Sequence, residues 1–235
     1  MASETGTLAL VGGAEWSEGC SFDETLLEAS GGTDVLVLPT ASAYERPERL
    51  VVAAAEWFAG LGLGASVEGL MVLTRADAQD PDAATIVRRS RFVYLSGGSA
   101  LHLRSVLKGS AVLGALREAW AAGAVVAGAG AGAVALTDPM VDPRGGALTV
   151  GLGLIEGLAV FTHYGDVAED AHGEKLHRSV TLAPAGLPVV GLPERTALLR
   201  DPAGRWSAAG GGLPSVFVDG RAAADGVSRL QGLGP

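Results

Sequence analysis

Apolar and polar positions along the chain follow two rhythms. Residues 7–11, 34–38, 92–95 and 124–127 are short, nearly continuous apolar runs that read as buried strands, and 66–73 reads as a further strand. Between them, 46–61, 83–89, 100–107 and 112–121 carry apolar residues at helical spacing. Short strands alternating with longer helices are the pattern of βαβ units. Right-handed crossovers then place helices on both faces of a parallel sheet. The expected architecture is a three-layer α/β/α, mostly parallel, doubly wound sheet. After Asp138 the rhythm changes: 139–146 is a polar Pro/Gly loop, 158–162 a strand leading to His163, and 174–180 a short helix or turn. Residues 188–192, 196–199 and 215–218 read as short strands of an antiparallel extension. No linker or internal repeat divides the chain, so residues 1–235 are expected to form a single domain.

Composition narrows this picture. At 48% hydrophobic and 5% aromatic, the core must be built from Val, Leu and Ala, as suits a helix-covered parallel sheet. The net charge of −9, from 17 basic and 26 acidic residues, argues against a nucleic-acid partner. A single cysteine, Cys20, excludes an internal disulfide and a cysteine-rich metal site. No basic stretch followed by a long apolar run opens the chain, and no charge-free apolar run of about 18 residues occurs. A cytoplasmic protein without a membrane partner is expected. His102, His172 and His177 form no i, i+4 pair, so no metal is expected. No cofactor is expected either.

Ligands of such sheets sit beyond the carboxyl ends of the strands. The turns to read are therefore Gly12-Gly13, Pro39–Ser42, Gly97-Gly98 and Gly128–Gly132. The last lies in GAVVAGAGAGAVAL, residues 123–136, which has no polar side chain. Gly128, Gly130 and Ala133 satisfy the spacing of a dinucleotide fingerprint, but the turn follows about four strands rather than one. No acid stands about 20 residues downstream to hold a ribose. The alternative is a nucleophile elbow, where small residues flank a strained turn because strand and helix approach closely. Gly130 then occupies the nucleophile position.

Six segments in order carry a resemblance. They are Leu10-Val11-Gly12-Gly13-Ala14-Glu15, Val37-Leu38-Pro39-Thr40-Ala41-Ser42 and Tyr94-Leu95-Ser96-Gly97-Gly98. Then come Gly128-Ala129-Gly130-Ala131-Gly132-Ala133, Gly151-Leu152-Gly153-Leu154-Ile155 ahead of His163, and Gly191 to Leu198. Together they resemble the dipeptidase E and cyanophycinase family of serine peptidases, within the class I glutamine amidotransferase-like superfamily. The resemblance implies a flavodoxin-like sheet and serine-type peptidase activity. It makes residue 130 the nucleophile position, where the family writes Gly-x-Ser-Ala-Gly-Ala. It makes His163 the catalytic histidine and the Gly97-Gly98 turn the oxyanion-hole turn. The chain departs from the family in having Gly130 for serine, and Ser99-Ala100 after the paired glycines. It also lacks the arginines that cyanophycinases carry after the histidine.

A serine elbow works because a histidine removes the hydroxyl proton while two backbone N–H groups stabilise the oxyanion. The backbone half survives here, with Gly98 and Ala131 as the candidate donors. Glu15, Ser99, Thr162 and Glu194 are candidate cleft or substrate-binding residues. Ser99 reads first as a helix N-cap and then as a substitute nucleophile; Glu194 either orients His163 or pairs with Arg195. The expectation is a peptidase-family protein without its nucleophile, a pseudoenzyme or a binder of a small peptide, amino-acid-like ligand or carboxylate. The alternative is an active hydrolase using water activated by His163, or Ser99 as nucleophile. A homodimer is left open.

Overall fold

The computed structural model describes residues 5–165 and 169–234, and for residues 169–172 the backbone alone. Its main sheet has seven strands in the order β13-β12-β1-β5-β4-β2-β3. The parallel strands are β1 (Leu8–Val11), β2 (Asp34–Leu38), β3 (Ser66–Gly69), β4 (Phe92–Leu95) and β5 (Val125–Ala129). Helices α1 (Phe22–Ser30), α2 (Pro47–Gly60), α3 (Pro81–Arg89), α4 (Ala100–Leu107), α5 (Ala111–Ala121) and α6 (Ala131–Leu136) connect and flank them. Two-residue strands follow: β6 (Thr137–Asp138), β7 (Met140–Val141), β8 (Leu148–Thr149) and β9 (Ile155–Glu156). The rest are β10 (Ala159–Thr162), α7 (Glu169–Leu182), β11 (Val189–Leu192), β12 (Thr196–Arg200), β13 (Trp206–Gly210), β14 (Ser215–Val218) and β15 (Arg221–Ala222).

Strand alternation divides the core between the faces of this sheet. Ala9, Val11, Val35, Val37, Phe92 and Tyr94 point to one side, where Phe22 and Leu26 of α1 and Phe58 of α2 pack. Leu8, Leu10, Leu36, Leu38, Val93 and Leu95 point to the other, against Val87, Leu103, Leu107 and Leu116 of α3, α4 and α5. The chain steps from β1 to β2 to β3 in one direction across the sheet and from β3 to β4 to β5 in the other. With crossovers of one hand, that reversal puts α1 and α2 on one face and α3 to α5 on the opposite face. Fully burying a Leu or Phe contributes about 1.5–3 kcal/mol relative to exposure. The fold therefore rests on these two apolar layers.

The expected three-layer parallel sheet is thus observed. The expected antiparallel extension is split in two. β12 joins the main sheet antiparallel to β1 and β13 follows antiparallel to β12, whereas β10, β11, β14 and β15 form a separate four-stranded sheet. In it, β10 and β11 run parallel, with β10 leading directly to His163. Residues 174–180 lie within α7, a longer helix than the sequence suggests. The strand expected over 66–73 ends at Gly69. None of the helices among the described residues is long and apolar enough to cross a membrane.

Candidate functional site

The carboxyl ends of β1, β2, β4 and β5 open onto one rim, and a cavity of about 310 Å³ lies beside it. Residue 130, at the junction of β5 and α6, has φ 49° and ψ −110°. That backbone belongs to a sharp strand-to-helix elbow and is costly for any residue with a Cβ. The neighbours are small because the backbones nearly touch: a Cβ at Gly132 would lie 2.4 Å from the Leu95 carbonyl oxygen. At Gly130 there is room. A Cβ there would lie 3.6 Å from His163 Nε2 and 3.7 Å from Gly97 Cα, both ordinary contacts.

His163 follows β10 in a left-handed conformation, φ 57°. Its Nδ1 is 2.9 Å from Glu194 Oε1, on the turn between β11 and β12. A carboxylate only accepts, so Nδ1 donates and Nε2 is left as the nitrogen facing residue 130. Backbone contacts from the Gly12-Gly13 turn set this pairing: Gly12 O accepts the His163 N–H at 2.8 Å and Gly13 O accepts the Arg195 N–H at 2.9 Å. One turn therefore fixes the spacing of the two segments bearing the imidazole and the carboxylate. The ring lies directly over Gly13, where a Cβ would come within 2.3 Å of Cε1.

The cavity is lined by Gly98, Ser99, Ala131, Thr162 and His163, and by Val134, Val141, Phe161, Asp142 and Lys175 among others. Neither the Gly98 nor the Ala131 N–H has an acceptor among the described residues. Ser99 is the N-cap of α4, its Oγ accepting the His102 N–H at 3.3 Å. Glu15 is not part of the lining; its Oε1 accepts the Gly97 N–H at 2.7 Å. Asp142 is held below the usual carboxylate range, first by the side-chain hydrogen bonds from Arg144. Lys175 has no carboxylate partner among the described residues.

The sequence leaves Glu194 either orienting His163 or pairing with the adjacent Arg195. The structure joins Glu194 to His163 across 31 positions. Lys175, Asp142, Phe161, Val134 and Val141 were not singled out as cavity residues. Only the helical register of α7 could have drawn attention to Lys175. His172 lies outside the described side chains.

A profile of peptidase family S51 matches residues 8–203. The chain belongs to peptidase family S51. This is the dipeptidase E and cyanophycinase family that the six segments resemble. Among curated proteins, the cyanophycinases of Synechococcus elongatus and of Thermosynechococcus vestitus are each 27% identical over 170 residues, covering 68% of this chain. The match spans 52% of the length of those relatives, about half. Among solved structures, a peptidase from an acI-B1 Actinobacterium is 25% identical with a TM-score of 0.79, covering 93% of both chains. A putative peptidase E protein from Listeria monocytogenes EGD-e, 18% identical with a TM-score of 0.61, covers 91% of this chain and 98% of its own and shares the fold. Within the S51 fold, one rim brings together residue 130, His163 and Glu194, and residue 130 carries no side chain.

Proposed function

We propose that this S51 chain binds a small peptide or amino-acid-like acyl ligand beside Gly130 and forms no acyl-enzyme. One observation carries this: an imidazole braced by Glu194 presents Nε2 to the place where a side chain on residue 130 would begin, and Gly130 supplies none. Covalent catalysis needs a nucleophile within hydrogen-bond reach of its base, about 2.6–3.2 Å. Without one, the family's acyl-enzyme route loses several powers of ten in rate. What remains suits binding. The Gly98 and Ala131 N–H groups are unspent donors for a carbonyl or carboxylate oxygen, and Lys175 adds a cation to a cavity with apolar walls. A volume of about 310 Å³ is at the small end for ligand sites and suits one or two residues of a peptide. Cys20, buried and free, accords with a reducing compartment such as the cytoplasm.

The test is covalent labelling. A serine-directed phosphonate is expected to leave the natural chain unmodified by mass spectrometry and to label Gly130→Ser, which should also hydrolyse members of a dipeptide panel. An adduct on any cavity residue of the natural chain overturns the proposal. A second reading rests on the same vacant space: a water in it would be near His163 Nε2, which could act as its base. Turnover of the panel by the natural chain, abolished in His163→Ala, would decide for that route.

A further inference from the structure

The Gly97-Gly98 turn joins the softest residues a backbone can contain, and a flip of their shared peptide would exchange a donor for an acceptor at the cavity. Side chains from different elements fix the two peptides that meet at Gly97, and so oppose that flip, Ser42 directly and Glu15 by holding the peptide before it. Glu15 Oε1 accepts the Gly97 N–H at 2.7 Å. Ser42 Oγ, from the turn after β2, donates to the Gly97 carbonyl at 2.9 Å, and Ser96 Oγ contributes a longer bond at 3.3 Å. In a trans peptide the next N–H points opposite to the carbonyl. Holding Gly97 O on Ser42 therefore turns the Gly98 N–H away from Ser42, and Gly98 lines the cavity. The far side of the turn is fixed as well: the Ser99 N–H donates to Ala41 O at 2.8 Å. Gly98 has φ 130°, and a Cβ on it would meet Ala41 O at 2.5 Å, so this arrangement is open to glycine alone. Glu15 is itself set between two left-handed residues, Ala14 at φ 49° and Trp16 at φ 58°. Such strain persists only where the surroundings impose it.

We propose that Glu15 and Ser42 are positioning residues that clamp the two peptides on either side of Gly97, Glu15 the one before it and Ser42 the one after, and so aim the Gly98 N–H at the ligand's oxygen. The donor role of Gly98 rests on the function proposed above; the clamp itself does not. Its bonds serve no cavity wall and no core layer. They act on the two peptide planes that meet at the Gly97 Cα. Glu15→Gln keeps an acceptor oxygen in place and Glu15→Ala does not.

The experiment measures backbone ¹⁵N relaxation on the natural chain, with no ligand. The Gly98 N–H is expected to show an order parameter of about 0.85, as in rigid backbone, falling below about 0.6 in Glu15→Ala and in Ser42→Ala, with Glu15→Gln near the natural value. The loss should be confined to residues 96–99, where a general loss of stability would spread across the sheet. Unchanged Gly98 order in both alanine variants overturns the clamp, as does a loss shared equally by β1 and β5. A second arm uses Gly130→Ser as the background and the rate of phosphonate labelling as the readout. Addition of Glu15→Ala or Ser42→Ala is expected to slow labelling at least tenfold, and Glu15→Gln to restore most of it. Loss of Gly98 order without any labelling of Gly130→Ser would uphold the clamp and refute the proposed function. Labelling at one rate in all backgrounds would refute the clamp's part in the chemistry.

Discussion

At the scale of single residues, strain and burial are placed unevenly. Six described non-glycine residues have positive φ, and four of them, Ala14, Trp16, His163 and Arg195, lie on the turns that follow β1, β10 and β11. Each costs on the order of 1–3 kcal/mol, a large share of a typical net stability of about 5–15 kcal/mol. A site with no use for that geometry would gain by relaxing it, which supports a retained binding role. Asp23 shows the other kind of cost. It is buried on the α1 face, with Oδ2 accepting the Trp57 Nε1–H at 2.9 Å and Oδ1 unpartnered. Burial pushes its carboxyl up to about 7, against the hydrogen bond from Trp57. The folded chain therefore keeps a proton on Asp23 between about pH 4 and 7 that the unfolded chain releases. Stability falls as pH rises through that window, and the loss is complete above pH 7. Asp23→Asn, which can still accept from Trp57, removes this dependence. Urea unfolding should show the variant gaining roughly 2–3 kcal/mol relative to the natural chain between pH 5 and pH 8. Parallel stability curves for the two chains would show that Asp23 does not titrate in this way.

At the scale of elements, the turns after β1 and β11 act as one unit. Gly13 lies beneath the His163 ring with no space for a methyl group, the nearest ring atom being 2.3 Å from its Cβ position. Gly13→Ala must therefore displace the ring, because backbone bonds to Gly12 and Gly13 hold the segments on either side. The expected result is loss of the His163–Glu194 hydrogen bond, seen as disappearance of the downfield Nδ1–H proton resonance. In the Gly130→Ser background, labelling should slow ~100-fold, the scale of a 1 Å misplacement. Persistence of that resonance would mean that the ring position does not depend on this contact. The same turns show what was legible in the sequence. Strands such as β2 and β4 were placed at their observed bounds, since burial on both sides leaves a nearly unbroken apolar run, and α4 was placed by the helical spacing of its one buried face. Helix α1 was not seen, because Asp23 occupies a buried position and breaks the apolar stripe of Phe22, Leu26 and Leu27. Strand β13 was missed because Trp206 is its only buried residue. The turns bearing Gly98 and Gly130 were legible because each ends a recognisable strand, whereas His163 stood out through the resemblance to the family. The partnership of Glu194 was not legible, since it depends on how two loops meet at the end of β1.

At the scale of the whole molecule, the seven-stranded sheet has two edges, and they are treated differently. β3 is four residues long and ends at Gly69, a short edge that offers little for another strand to pair with. β13 is longer, and its exposed residues Ser207, Ala208 and Gly210 carry no charge. The segment after β15 closes part of this edge. Gln231 imitates a neighbouring strand: its Oε1 accepts the Trp206 N–H at 3.1 Å and its Nε2 donates to Trp206 O at 2.9 Å. Leu233 O takes the indole Nε1–H at 3.2 Å, and Leu230 is fully buried below. Removal of residues 226–235 should therefore uncover both the main-chain groups of Trp206 and an apolar patch. An uncharged edge in that state pairs with its own copy. Light scattering is expected to show a concentration-dependent rise in mass for the shortened chain. Gln231→Ala, which leaves Leu230 in place, separates the two causes: association in this variant as well would trace it to the open edge, and association in the shortened chain alone to the patch. If both variants keep the mass of the natural chain at every concentration, the terminal segment does not guard the sheet, and β13 is protected by its twist or its sequence alone.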